Sequence, residues 1–204
     1  MNIQWYGEGC FKIQTGEAVL LTDVFEASSG LTPPKVKADI SLRTLTPIPF
    51  PDFFASAKTD ITGGGEYEIK GVEIRAFQLV NESTAEFVKT IFKVKADDLS
   101  LVFLGHISEM PAADVLEQLG EVDILFMPVP QEHFLPADKA LTLVRQLNPK
   151  VLILSFFKAP GLKRKAVDPQ EFASEFGGAV PAPEKLVLKK KELPAKLQVY
   201  VPNL

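Results

Sequence analysis

Histidine and cysteine are scarce in this sequence, and both shortages limit the chemistry that it supports. The 204 residues include one cysteine, Cys10, and two histidines, His106 and His133. A single cysteine permits no internal disulfide and fits a reducing compartment. Two histidines are too few for a histidine-rich dinuclear zinc centre, because such a centre needs about six or seven protein nitrogen and oxygen ligands.

Long apolar runs and an excess of positive charge are also missing. No run of about 18 apolar residues occurs, so no membrane span is predicted. Residues 1–11 lack a basic segment followed by an apolar one, so we expect no signal peptide and a cytoplasmic protein. The net charge of −4 favours neither nucleic acid nor an anionic membrane. With 46% apolar and 24% charged residues, the chain suits one globular domain over residues 1–204.

The residue patterns that are present predict a mixed α/β fold. The first half has the alternation of β-hairpins, most clearly in Glu66–Ile69 and Val72–Phe77. In the second half, helices alternate with buried strands. Pro136–Leu147 has the apolar spacing of a helix, and Val151–Phe157 is apolar enough for a central strand. A two-sheet sandwich covered by helices is therefore expected.

The segment Ala38–Phe54 has the strand-and-loop form that is common at catalytic sites, but it has few side chains that can take part in catalysis. Ala38–Arg43 is predicted to be a strand, and a proline follows at every second position from 47 to 51. Because prolines remove backbone donors, we expect neither helix nor ladder to continue there. Asp52 is the only ionisable residue between Thr44 and Phe54.

Several motifs occur along the whole chain in an order typical of one family. They are Trp5–Phe11 (family W-x-G-H-x-C-F), Leu21–Phe25 (I-D-P-F), Gly64–Val72 (P-G-E-Y-E-I-K-G-V), Leu104–Gly105, Val122–Val129 and Lys189–Pro194. With these motifs the chain resembles the metallo-β-lactamase (MBL) fold superfamily, in particular its small bacterial metallo-hydrolase branch related to ascorbate-phosphate lactonases. The resemblance implies a four-layer αββα sandwich of the α/β class and a hydrolase that uses zinc, iron or manganese.

When the family's metal-ligand positions are transferred to this chain by the resemblance, they fall on residues of other types. The H-x-H-x-D-H motif falls on Leu45, Pro47, Pro49 and Phe50, and the last histidine falls on Phe156 or its neighbour. The bridging aspartate of the family falls on His106, and its first-turn histidine falls on Glu8. We therefore predict a degenerate metal site, with no bound metal and no other cofactor.

Four polar residues remain as candidates for a remodelled site: Asp23, His106, Glu8 and Glu109. His106 is a candidate ligand or general base, and Asp23 a carboxylate that orients groups at the mouth of the site. The alternative interpretations are a hydrogen-bonded loop histidine and a turn-capping aspartate. We further expect Phe50, Phe53 and Phe54 to fold inward and fill the vacated site; the alternative is that they are exposed as a patch for a partner. The basic runs 163–165 and 189–191 are interpreted as solvated faces rather than a nucleic-acid groove.

Three hypotheses about function follow. The first is a catalytically inactive relative (a pseudoenzyme) with a structural or interaction role, which allows for a protein partner that the sequence does not identify. The second is an enzyme, a metal-dependent hydrolase with a remodelled mononuclear site around Asp23 and His106. The third is a small-ligand binding module in the old cleft. The missing ligands favour the first hypothesis over the enzyme, and the sequence leaves the choice between them open.

Overall fold

The computed structural model describes residues 1–16, 18–50 and 57–204, and these residues form two β-sheets with helices in the second half of the chain. The strands are β1 (Asn2–Gly7), β2 (Cys10–Thr15), β3 (Ala18–Thr22), β4 (Ala38–Leu42), β5 (Leu45–Pro47), β6 (Ala57–Ile61), β7 (Gly65–Ile69), β8 (Val72–Gln78), β9 (Phe87–Ala96), β10 (Leu99–Phe103), β11 (Ile124–Pro128), β12 (Val151–Ser155), β13 (Val180–Pro181), β14 (Leu186–Val187) and β15 (Gln198–Val201). The α-helices are α1 (Ala113–Leu119), α2 (Ala137–Leu147) and α3 (Pro169–Ser174).

The two sheets differ in how their strands connect. The first has the order β14-β1-β2-β3-β4-β6, antiparallel through β3 and parallel from β3 to β6. The second has the order β13-β15-β12-β11-β10-β9-β8-β7, and its parallel part runs from β10 to β13. The carboxyl ends of parallel strands lie at one edge of a sheet, which is where α/β proteins commonly place their sites.

Aromatic side chains join the inner faces of the two sheets. Phe11 of β2 meets Phe126 of β11 edge to face, with ring centroids 4.8 Å apart, and Phe103 stacks on Phe126 at 4.3 Å. Trp5 of β1 stacks on Phe157, just after β12, at 4.8 Å. Because these contacts link strands of both sheets, the core lies between them, as the sandwich prediction requires.

The strand pattern was largely predicted, but the proline-rich loop was not. Leu45–Pro47 forms β5 and pairs antiparallel with β9, so the prediction that no ladder continues there was wrong. Thr90 N of β9 donates to Thr44 O at 2.9 Å, and Ile48 N donates to Glu86 O, just before β9, at 2.7 Å. The bonded residues therefore have even numbers, and the prolines at 47 and 49 occupy the alternate positions. A missing donor on the side away from the partner strand costs no ladder bond.

Among the described residues, the helices are all too short or too polar to cross a membrane.

Candidate functional site

The candidate residues lie close together where strands of both sheets end. Asp23 follows β3, Thr44 follows β4, His106 follows β10 and Phe156 follows β12, while Glu8 lies in the turn between β1 and β2. The parallel pairing of β3 with β4, and of β10 through β12, brings these strand ends to one side of the sandwich. The topology therefore places the residues that follow these strands at a single site.

A threonine hydroxyl links the two main candidates, Asp23 and His106. The Thr44 backbone N–H donates to Asp23 Oδ1 at 2.7 Å, and its hydroxyl donates to Asp23 Oδ2, also at 2.7 Å. The same hydroxyl oxygen lies 2.8 Å from His106 Nδ1. Since a hydroxyl has one proton, Thr44 Oγ1 accepts from His106 Nδ1–H whenever Asp23 is ionised. The result is a relay of carboxylate, hydroxyl and imidazole in that order.

Burial changes the protonation of both ends of this relay. Burial raises the pKa of Asp23 to about 6, although the two Thr44 hydrogen bonds and the Arg43 charge favour the ionised form. Burial lowers the pKa of His106 to about 3, helped by the positive charges of Lys89 and Arg164. At neutral pH, Asp23 is therefore mostly ionised and His106 is neutral.

Aromatic rings surround the imidazole. The Phe156 ring meets His106 edge to face with centroids 4.6 Å apart, and the Phe134 ring lies over it at 5.9 Å. The two phenylalanines contact each other at 5.0 Å. A Cβ atom at Gly9 would overlap the Phe156 ring and Asp23 Oδ2, so the absence of a side chain there is what lets the ring enter.

A bidentate ion pair closes the opposite side of the site. Arg164 Nε donates to Glu8 Oε1 at 2.7 Å and its Nη2 donates to Glu8 Oε2 at 2.5 Å. The guanidinium also donates to the Phe156 carbonyl at 2.8 Å and to Gln131 Oε1 at 3.4 Å. Glu8 is thus committed to a resident cation rather than open to a ligand.

Three of the residues at this site adopt the left-handed backbone region. The φ angles are +51° at Glu8, +36° at Asp23 and +58° at Phe156. Residues with a Cβ atom enter this region at a cost of about 1 kcal/mol or more. Such a conformation persists only where the surrounding contacts fix it.

The other sequence-based candidates lie elsewhere or outside the described residues. Glu109 is exposed, and its side chain joins none of the contacts described above. Phe50 is 41% exposed and lies beneath the Arg43 guanidinium, so it does not fill the site; Phe53 and Phe54 lie outside the described residues. The ring that fills the space beside His106 is Phe156.

Sequence reasoning missed three residues of the site: Thr44, Gln131 and Arg164. Arg164 had been assigned to a solvated basic run, yet its side chain is 35% exposed and holds the ion pair with Glu8. Lys190 of the second basic run likewise pairs with buried Asp123 at 2.7 Å. No local signal distinguishes these residues, because their partners are distant in the chain.

The residues of the site do not supply the converging donors that a metal ion needs. Within residues 1–16, 18–50 and 57–204, no three His, Cys, Asp or Glu side chains converge as a metal would require. Both oxygens of Asp23 accept from Thr44, both oxygens of Glu8 accept from Arg164, and His106 Nδ1 is hydrogen-bonded. Structural and catalytic zinc sites need at least three converging protein ligands, so these residues do not fit the family's metal.

Comparison with known proteins identifies the family. Residues 2–154 match the family described as "Beta-lactamase superfamily domain", and the chain belongs to that family. No curated protein matches.

Solved structures agree on the fold. A Thermotoga maritima protein assigned to the Zn-dependent hydrolases of the metallo-beta-lactamase superfamily aligns with a TM-score of 0.83 and 22% identity, covering 99% of this chain and 98% of its own. Igni18, a metallo hydrolase from Ignicoccus hospitalis, aligns with a TM-score of 0.64 and 14% identity, covering 100% and 96%. YhfI from Bacillus subtilis, a metallo-beta-lactamase fold protein, aligns at 0.61 and 10%, covering 98% and 95%. The predicted α/β sandwich of metallo-β-lactamase type is confirmed.

Proposed function

We propose that this chain is a single-domain, cytoplasmic pseudoenzyme of the small bacterial branch, with its metal motif lost and a structural or interaction role. The observation that carries the proposal is that three of the four candidate residues already have partners within the chain. Asp23 bonds to Thr44, Glu8 bonds to Arg164, and His106 is bonded to Thr44 and flanked by two phenylalanine rings. A hydrolytic metal needs open coordination positions and a bound water.

The three groups of the relay are also arranged in a different order from those of a catalytic triad. In a Ser-His-Asp triad the carboxylate orients the imidazole, which then takes the proton of an accessible hydroxyl. Here the hydroxyl of Thr44 stands between Asp23 and His106, and Thr44 is only 1% exposed. Its proton is committed to Asp23 when that group is ionised, and substrate cannot reach its oxygen. The arrangement supports a structural polar network better than a nucleophile.

An apolar surface beside the site supports the interaction role. Leu45, Ile48 and Phe50 are 36%, 49% and 41% exposed, and they lie on the segment where the resemblance places histidine and aspartate ligands. The interaction role assigns these exposed residues to a contact with another protein.

Hydrolysis assays test this proposal against the remodelled-enzyme hypothesis. Purified protein is assayed on lactone, phosphodiester and thioester substrates with added zinc, manganese or iron(II), and again after chelation. We expect rates equal to those of the Asp23→Asn/His106→Asn double variant under every condition. A metal-stimulated rate that chelation abolishes, and that the double variant lacks, would establish the mononuclear hydrolase instead.

A second candidate function rests on an open depression of about 600 Å³ at the mouth of the site. Its lining combines apolar and charged groups: Val24, Phe25 and Leu162, with Glu8, Glu26, Lys163 and Arg164. This volume lies within the usual range for small-ligand sites, which favours the binding-module hypothesis. Thermal-shift screening of small carboxylates and phosphates, repeated on Phe25→Ser, tests it; a shift seen in the native chain and lost in the variant supports binding there.

A further inference from the structure

The Arg164 guanidinium has a full set of acceptors drawn from separate parts of the chain. Besides Glu8 Oε1 and Oε2, its N–H groups donate to the carbonyls of Phe156 and Lys165 and to Gln131 Oε1. Two of these acceptors are 156 and 33 residues away in sequence. A guanidinium carries five N–H donors in a planar fork, and this one uses them all.

Two of the acceptor residues belong to segments that the resemblance associates with metal ligands. The resemblance places the first-turn histidine on Glu8 and the last histidine on Phe156 or its neighbour. The two segments also touch through the backbone, since Phe156 N donates to Glu8 O at 3.1 Å. Trp5 Nε1 donates to the same carbonyl at 3.0 Å. Arg164 therefore joins the β1–β2 turn of the first sheet to the end of β12 in the second.

We propose that Arg164 replaces the metal as the cation that joins the two sheets at the mouth of the site. The inference rests on the proposed absence of a metal and adds the group that takes over its structural role. A metal ion holds ligands from several strands through short bonds to one positive centre. The guanidinium holds the same two segments through charge-assisted hydrogen bonds to a carboxylate and a carbonyl. The ion pair is partly buried, because the Glu8 side chain is 12% exposed, so solvent screens it less than a surface pair.

Neighbouring lysines provide matched controls. Lys163 and Lys165 flank Arg164 on the same exposed loop, and neither side chain takes part in the ion pair with Glu8. Lys163→Gln and Lys165→Gln remove one positive charge each, as Arg164→Gln does, without removing the bidentate contact. Arg164→Lys retains the charge but offers one ammonium in place of the planar fork.

A double-mutant cycle on the thermal midpoint tests the proposal. We expect Arg164→Gln and Glu8→Gln each to lower Tm by about 2–4 °C, and the double variant to be no lower than the worse single variant. Lys163→Gln and Lys165→Gln should stay within about 1 °C, and Arg164→Lys should fall between. Hydrogen exchange should quicken in residues 7–9 and 156–165 of Arg164→Gln. An Arg164→Gln midpoint equal to that of Lys163→Gln, or strictly additive losses in the cycle, would overturn the proposal.

The same series with zinc chloride separates this proposal from the proposed function. If zinc leaves the native midpoint unchanged and the cycle is non-additive, both stand. If zinc raises the native midpoint, the absence of a metal is refuted whatever the cycle gives. If zinc has no effect and the cycle is additive, the metal is absent but Arg164 is not its replacement.

Discussion

Phe156 lies edge-on against His106 with ring centroids 4.6 Å apart, and the resemblance places the family's last histidine ligand on Phe156 or its neighbour. A histidine at this position could have shared a metal ion with His106. The phenylalanine ring instead packs against the imidazole. Phe156 is 5% exposed, and Phe134 extends the contact. An apolar cluster therefore occupies the space beside the one histidine of the site.

Truncating this ring should both destabilise the protein and free His106. Phe156→Ala is expected to lower the free energy of unfolding by about 3 kcal/mol, as for other buried phenylalanines. Because solvent would then reach the imidazole, the pKa of His106 should rise from about 3 toward its ordinary value. Chemical denaturation gives the first quantity and NMR titration of the His106 ring gives the second. Phe156→Leu, which keeps apolar bulk, should raise the pKa less; an unchanged pKa in Phe156→Ala would contradict this account of its burial.

The bridging hydroxyl of Thr44 should contribute more than its size suggests. Thr44→Val removes the hydroxyl that bonds to both Asp23 and His106, so we expect a loss of about 1–3 kcal/mol. Asp23 keeps its bond from the backbone N–H of residue 44, so most of the loss comes from His106 Nδ1. Thr46 provides the matched control, since its Oγ1 is buried and has no hydrogen-bond partner among the described residues. Thr46→Val should be neutral or slightly stabilising. Equal losses in the two variants, measured by urea unfolding, would rule out the relay.

His106 should make the protein less stable in acid. Its folded pKa, about 3, lies below the ordinary value of about 6.5, so the unfolded state binds more protons between these values. The stability linked to this group is complete above about pH 6.5 and decreases as the pH falls toward 3, by about 1 kcal/mol per pH unit. His106→Asn, which keeps a donor for Thr44, should lose this dependence in urea titrations across pH. His133→Asn, at an exposed histidine, should retain it.

Asp23 should make the protein less stable as the pH rises. Burial raises its folded pKa to about 6, above the ordinary value of about 3.9. The stability linked to this group is therefore complete below about pH 4 and decreases as the pH rises through 6. Asp23→Asn removes the charge and keeps the bond from the Thr44 N–H, while its amide N–H donates to Thr44 Oγ1, whose own proton then turns to His106 Nδ1. It should therefore be more stable than the native chain at pH 8, by about 1–3 kcal/mol. The advantage should vanish near pH 4, and an advantage that persists there would contradict the raised pKa.

The elements of the fold were predictable because local patterns determine them. Alternation identified Val72–Phe77, and the apolar spacing of Pro136–Leu147 identified the helix found at Ala137–Leu147. The short strand Leu45–Pro47 was missed because the prediction counted the backbone N–H donors that proline removes. It did not ask whether each missing donor would face the partner strand. A proline can belong to a ladder when its missing donor points away from the neighbouring strand.

The contacts of the site could be predicted only in part. The resemblance placed Glu8, His106 and Phe156 at the site, but the side chains that bind them came from elsewhere. Thr44 is an ordinary threonine after a strand, and Arg164 is one charge in a basic run. Their roles depend on contacts across 62 and 156 residues of sequence, which no local pattern records.

The central claim is that this chain has lost the family's metal, and metal stoichiometry tests it most directly. The protein is expressed in medium supplemented with zinc, manganese and iron, purified without chelator, and analysed by inductively coupled plasma mass spectrometry beside a zinc protein of known stoichiometry. The account predicts well below 0.1 equivalent (about the level of adventitious metal) of each ion, unchanged in His106→Asn. One equivalent of any of these metals, lost in His106→Asn, would contradict it.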